Sequence, residues 1–458
     1  MGAGASTKAL NEFDAALKSS SDSRKLVVTH RELLVLPPEL LARAIHLREL
    51  VLEHTKLQQL PASFGCLVLL ERLSLAGNQL ETLPLSFHEL LRLEEFDISG
   101  NALRSLLGNF CDLNALRRLY AQDNALRKLP REFGALNCLE MLDLRNNALR
   151  KLPKSFPCLF SLTRLDLSHN KLRKLPEAFG NLSALRVCNL GRNTLGELPE
   201  YIGLAVGLEV LSLNNNALYK LPPSFADLTN LKNLSLTGNR IECFPGQLGA
   251  LKALVTLSYT ENRLKQWLPG ERVSVLEEGS PVNGDVADAE IEIDANSTNA
   301  LNNPLAGLTA IQYLDLSDNA LAALPKHGWD RLEELLHLKL ARNRLQTLPA
   351  ELQKLPRLQR LDVAGNKLQK LPSSLLSSKT LEILDAQQNA LREIPENVGE
   401  CEALTHLVLT RNRDLRGLPR TLRHLSRLQE LRVDKLCFLA LGDEQTVFCR
   451  TVAFFSAE

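Results

Sequence analysis

The chain opens Met-Gly-Ala-Gly-Ala-Ser-Thr-Lys, and Gly2 is the first residue with a specific chemistry. Once Met1 is removed, a free glycine amine followed by small uncharged residues, with Ser6 and then Lys8, fits the signal for N-myristoylation. One acyl chain holds a protein to a bilayer only marginally, so a second membrane contact is expected. A second set of marked residues is cationic. The phrase Leu-Arg-Lys-Leu-Pro is written three times, giving Arg127 with Lys128, Arg150 with Lys151 and Arg173 with Lys174, and Arg104 stands just before them. Stacked, these residues form a basic ridge suited to an acidic protein or an anionic lipid, unless an exposed turn merely tolerates charge. No aromatic residues interleave them for base stacking, which argues against nucleic acid. Asp97, Asp143, Asp166, Asp315, Asp362 and Asp385 share one phase, either to clasp a basic partner or simply to be solvated. No Gly-rich phosphate loop and no His-x-x-x-His pair occurs, and the nine cysteines lack Cys-x-x-Cys spacing, so no enzyme, cofactor, metal or small-molecule substrate is implied. The net charge of +1, the lack of an apolar run of about 18 residues and the lack of a secretory apolar region read as a soluble protein of a reducing compartment.

The elements that position these residues are repeats. Asparagines recur every 23 residues at 78, 101, 124, 147, 170, 193, 216, 239 and 262, with Thr55 in the same phase, and resume at Asn319, Asn343, Asn366, Asn389 and Asn412. Around each runs Leu-x-x-Leu-x-Leu-x-x-Asn-x-Leu-x-x-Leu-Pro, followed by x-x-Phe-x-x-Leu. The alternating core predicts a short strand with leucines on one face. The Leu-Pro that follows turns the chain, and the spacing of three after it predicts a helical or 3₁₀ return. One unit cannot bury its leucines, but stacked units can, each buried Leu contributing about 1.5–3 kcal/mol before entropy. Phe64, Phe87, Phe110, Phe133, Phe156 and Phe179 keep one phase and predict a stacked spine. The Asn carboxamide both donates and accepts, so a ladder of them is expected to satisfy backbone groups enclosed in the turns.

The ends depart from this frame as caps should. Leu10, Phe13 and Leu17 fall on one face of an N-terminal helix over residues 7–20, with Arg31 in the Asn phase of a degenerate first repeat. Leu436 takes that phase in the last repeat, before an apolar tail. The boundaries expected are 1–25 for acylation signal and cap helix, 26–269 for repeats, 270–303 for an insert, 304–437 for further repeats and 438–458 for the C-terminal cap. The insert holds eight acidic side chains against Arg272 alone, a charge of −7, which leaves 53 basic and 45 acidic residues, +8, elsewhere. Rich in Gly, Asn, Asp, Ser and Ala, it reads as disordered, either an electrostatic latch onto the basic ridge or an inert expansion loop.

These repeats resemble the leucine-rich repeat superfamily, and the 23-residue Leu-Pro-x-x-Phe form is similar to the intracellular Ras-group scaffolds of the Sur-8 and Ras suppressor type. The resemblance covers roughly residues 26–436 apart from the insert. It implies an α/β solenoid, a horseshoe whose parallel strands form a concave sheet, with an arc of roughly 80 Å for seventeen strands. On that inner face the central repeats would present Val187, Asn189, Val210, Ser212, Asn214, Asn233 and Ser235, a neutral floor bordered by Asp143, Asp166 and Arg164. Such a floor suits the centre of a protein interface. Near the C-terminus, Arg450, Val452 and Phe454 are similar to the docking motif of type-one protein phosphatase, or are residues of the cap. The expected function is a non-enzymatic signalling scaffold at the cytoplasmic face of a membrane, its partner by resemblance a Ras-like GTPase. The alternatives are a phosphatase-targeting subunit and a structural part of a cytoskeletal assembly. Metabolic labelling with a myristate analogue is expected to tag the chain and to fail for Gly2→Ala; equal labelling of both would remove the lipid anchor.

Overall fold

The alternation in each repeat forms a strand of only three residues. In Arg164–Asp166 the central Leu165 is buried while the residues on either side face outward. The computed structural model describes residues 7–19, 24–30, 32–265, 267, 304–439, 449, 452 and 454–457. Gly2, Arg31, the 270–303 insert and Arg450 lie outside the described residues. The chain divides into two units, Met1–Leu231 and Lys232–Glu458, so the dividing point falls inside the first run of repeats.

In the first unit a helix, Thr7–Ser19, buries Phe13 and Leu17 and packs on the first strand, Lys25–Thr29. Nine parallel strands follow one another to Val210–Ser212, each in register with the next, as where Arg164 lies beside Val187 and Asp166 beside Asn189. The second unit holds nine more, from Asn233–Ser235 to Phe454–Ala457. There Thr256–Ser258 pairs directly with Tyr313–Asp315, so the sheet passes across the insert without losing a rung.

The return segments are short 3₁₀ turns such as Glu177–Asn181, which buries Phe179. In two of the repeats the residue after the Phe is held to glycine by packing. A Cβ on Gly134 would lie 1.9 Å from the carbonyl oxygen of Ser155 in the next repeat, and one on Gly180 would lie 2.0 Å from that of Tyr201. The phenylalanine spine forms in two runs of three rings. Phe64, Phe87 and Phe110 stack at 6.1 and 6.2 Å, and Phe133, Phe156 and Phe179 at 6.1 and 6.4 Å. Phe96, which replaces a strand leucine, packs on the first run 4.9 Å from Phe87. The turn after the strand Glu430–Val433 also departs from the ladder. Leu436 falls in a short helix, Lys435–Leu439, and is exposed rather than enclosed.

The asparagine ladder is present throughout. Asn170 is buried; its Nδ2 donates to the carbonyls of Leu144 at 2.9 Å, Leu167 at 3.1 Å and Ser168 at 3.2 Å, and its Oδ1 accepts from the Leu149 amide at 3.0 Å. The same set recurs at Asn147, Asn343 and Asn366. Thr55, which holds the phase in an early repeat, donates its hydroxyl to Asn78. The residue before the Asn is left-handed in repeat after repeat, with φ of 54° at His169, 54° at Arg192 and 53° at Arg342. Only a few of these positions are glycine, so the ladder holds ordinary side chains in a conformation that costs them energy.

Asn170→Ala is expected to leave the Leu149 amide enclosed without a partner, at about 1–3 kcal/mol, while the Leu144 carbonyl keeps its second donor, Asn147 Nδ2 at 3.1 Å. Chemical denaturation should show that loss, while the exposed neighbour variant Lys171→Ala stays within about 0.5 kcal/mol of the parent.

Candidate protein-binding surface

The outward residues of the strands in the first unit fall into two zones. In the first, charges alternate from strand to strand and neutralise one another. Lys25 lies 2.5 Å from Glu49, Arg72 lies 3.4 Å from the same carboxylate, and Arg118 lies 2.9 Å from Glu95. Burial alone would push the Glu49 carboxyl up, yet Lys25 and Arg72 hold it below its ordinary value. A parallel row joins Arg48 to Glu71, Arg117 to Glu140 and Arg186 to Glu209. Adjacent strands bring residues 23 apart side by side, which is why opposite charges at that spacing meet.

In the second zone the alternation stops. From Met141 onward the same strand position holds Met141, Arg164, Val187 and Val210. Met141, Val187 and Val210 are half-buried, and Arg164 is exposed with no ion-pair partner among the described residues. Tyr120 borders the patch and donates its hydroxyl to the Met141 sulfur at 3.2 Å. The result is an apolar strip with one free guanidinium in it.

The polar residues expected on this floor are already engaged. Asp166 Oδ1 accepts from the Ser168 amide at 2.8 Å and from its hydroxyl, closing the turn after the strand. Asp143 does the same with the Arg145 amide at 3.1 Å. Asn189 holds the equivalent Gly191 amide at 3.1 Å and donates to Asp166 Oδ2 at 3.0 Å, and Ser212 donates to Asn214. The aspartate row is therefore a set of turn-closing acceptors, with Asp97, Asp315, Asp362 and Asp385 bonded alike. That role needs a side-chain oxygen two residues before an amide, a signal present in the sequence as the Asp or Asn that ends these strands. Asn233 is exposed and Ser235 half-buried in the second unit.

The remaining candidates are placed as follows. Arg104, Arg127, Lys128, Arg150, Lys151, Arg173 and Lys174 are all exposed on successive turns of the first unit. Val452 is buried, and Phe454 begins the final strand beside Glu430, with the Arg432 guanidinium 5.1 Å from its ring. In this arrangement Val452 reaches a docking pocket only if the cap opens. Among the described residues no group of three or more His, Cys, Asp or Glu side chains is placed to hold a metal ion, and no helix is long and apolar enough to cross a membrane. Burial pushes the Cys111 thiol up to about 12 and raises that of the fully enclosed Cys188, so neither is a thiolate nucleophile near neutral pH.

Burial raises the Asp143 carboxyl above its ordinary value; the Arg145 amide and its guanidinium at 3.5 Å offset part of this, and Asp166 adds to it. A carboxyl whose pKa is higher folded than unfolded binds its proton more tightly in the native state. The native state therefore loses stability as pH rises from the unfolded pKa through the folded one. Asp143→Asn keeps the turn-closing oxygen, as Asn189 does, and removes the charge. Thermal melts should show the variant more stable than the parent at neutral pH, with the difference vanishing in acid below the ordinary carboxylate range.

The family model described as a leucine-rich repeat region matches residues 96–191, and that described as a leucine rich repeat matches residues 24–80, 206–264 and 309–368, together more than half of the chain. No curated protein matches it. Among solved structures, a leucine-rich repeat protein of Leptospira interrogans is 27% identical, with a TM-score of 0.72, over 91% of this chain and 97% of its own. The Toll–Spatzle complex of Drosophila, at 22% identity and a TM-score of 0.70, aligns over 90% of this chain and 53% of that one. The Arabidopsis receptor kinase HAESA, solved with the peptide hormone IDA and the co-receptor SERK1, aligns at 24% identity and a TM-score of 0.59, over 90% and 70%. The last two likenesses are of fold alone. From repeat, ladder and family match together, the chain belongs to the leucine-rich repeat proteins.

Proposed function

We propose that this chain is a non-enzymatic scaffold that binds a folded signalling protein on the strand face of its first unit. The observation that carries the reading is the end of the charge ladder. Arg164 stands unpaired among Met141, Val187 and Val210, where every earlier strand cation at that position has a carboxylate beside it. An apolar centre with one arginine anchor, rimmed by internally neutralised charge, is the pattern of a protein interface. Leucine-rich repeat proteins generally act by binding other proteins, and HAESA and Toll were each solved with such a partner.

The partner class follows from the Ras-group form of the repeats, and we assign it as a Ras-like GTPase. The Gly2 signal in the sequence would place the complex at the cytoplasmic face of a membrane, where acylated GTPases also reside. Asn189, Ser212 and Asn214 shape the turns beside the patch and contribute contact only secondarily.

Titration calorimetry with purified Ras-like GTPases in their triphosphate-loaded form tests this. Val187→Arg with Val210→Arg, on outward positions, should leave the fold intact and weaken binding at least tenfold. An affinity indifferent to these changes would displace the site, and a parent chain that binds none of the GTPases would discard the partner class.

A further inference from the structure

Several exposed cations of the first unit pair with carboxylates one repeat away, as Arg48 does with Glu71 and Arg117 with Glu140, but the cations of one ridge stack on consecutive turns with almost no such partner. Arg104, Arg127, Lys128, Arg150, Lys151 and Arg173 have no carboxylate within ion-pairing distance among the described residues; Lys174 alone reaches Glu197, at 3.5 Å. The turns that carry them are locked side by side by backbone hydrogen bonds. The Ala125 amide bonds to Leu103 and that of Ala148 to Leu126, both at 2.9 Å, and the Lys171 amide bonds to Leu149 at 2.8 Å. Seven like charges therefore stand at a pitch of about 4.8 Å over about 15 Å. Repulsion along such a row opposes folding. Nothing in the repeat demands it, since Glu81 occupies the Arg104 position one repeat earlier and Glu197 the Lys174 position one repeat later. The ridge thus begins and ends sharply.

We infer that this ridge is a docking surface for an anionic lipid bilayer. Two features favour a membrane over an acidic protein. Within these four repeats no exposed apolar side chain stands in the two rows, so a protein partner would find no apolar interface centre of the kind the strand face offers. The ridge also projects as exposed side chains on consecutive turns. Lysines and arginines presented together in this way gain attraction from a charged plane without shape matching. The inference does not depend on partner binding at the strand face, which uses other residues. Nor does it need acylation of Gly2, although the two together would meet the requirement for two membrane signals.

The test uses the full chain carrying Gly2→Ala, so that no acyl group contributes, and sedimentation with phosphatidylcholine vesicles made with and without phosphatidylserine. The chain should bind only the phosphatidylserine vesicles and be released by salt. Reversing Arg127, Lys128, Arg150 and Lys151 to Glu should weaken binding at least tenfold. A charge-matched variant reversing Lys56, Lys265, Arg357 and Lys379, all paired in the native structure, should bind nearly as the parent does. Circular dichroism melts of both variants verify folding. Absence of binding to phosphatidylserine vesicles, or equal weakening in the two variants, would overturn the inference. So would capture by polyglutamate without capture by vesicles, which would hand the ridge to an acidic protein.

Discussion

One carboxamide in each repeat sets the geometry that everything else uses. A strand of three residues followed at once by a turn encloses carbonyls and amides that water cannot reach, and the leucines around them offer no partner. The Asn side chain reaches back to a carbonyl of the preceding repeat and forward to two of its own turn, while its oxygen takes the amide of the preceding repeat. It therefore fixes both the shape of a turn and its distance from the next. Leucine burial supplies the driving force, but leucines alone would tolerate sliding. The ladder is what makes residues 23 apart true neighbours.

That neighbour relation explains the surface. Opposite charges placed one repeat apart meet and cancel, as Lys25, Glu49 and Arg72 do. Where the sequence stops alternating, the surface acquires a character of its own. Two such interruptions lie in the first unit: an apolar strip around Arg164 on the strand face, and seven cations on consecutive turns. Both are departures from a pattern of self-neutralisation, and the proposed partner site and bilayer site each rest on one of them.

Much of the fold was legible in the sequence. The phase of the asparagines, the alternation of leucines and the return spacing predict strand, turn and 3₁₀ segment, and Phe13 and Leu17 mark the cap helix. The aspartate row was harder. A residue that faces outward reads as free to bind, and its bond to an amide two residues on becomes evident only once the turn has its shape. The left-handed residue before each Asn left almost no trace, because His169, Arg192 and Arg342 occupy a position where glycine would be expected. The charge ladder is written at a spacing of 23, which pairs residues only after the register is known. The unpaired Arg164 could not be told from the paired Arg118 until the neighbouring strands were in place.

Native-state hydrogen exchange of the ladder amides tests the central claim most directly. The amides of Leu126, Leu149 and Leu172 sit in turns and have no backbone acceptor of their own repeat; each donates to the Asn oxygen of the following repeat. If the ladder fixes the stack, they should exchange as slowly as the amides of the strands beside them. Exchange as fast as that of the exposed turn residues Lys128 and Lys151 would contradict it, and with it the placement of every surface residue discussed above.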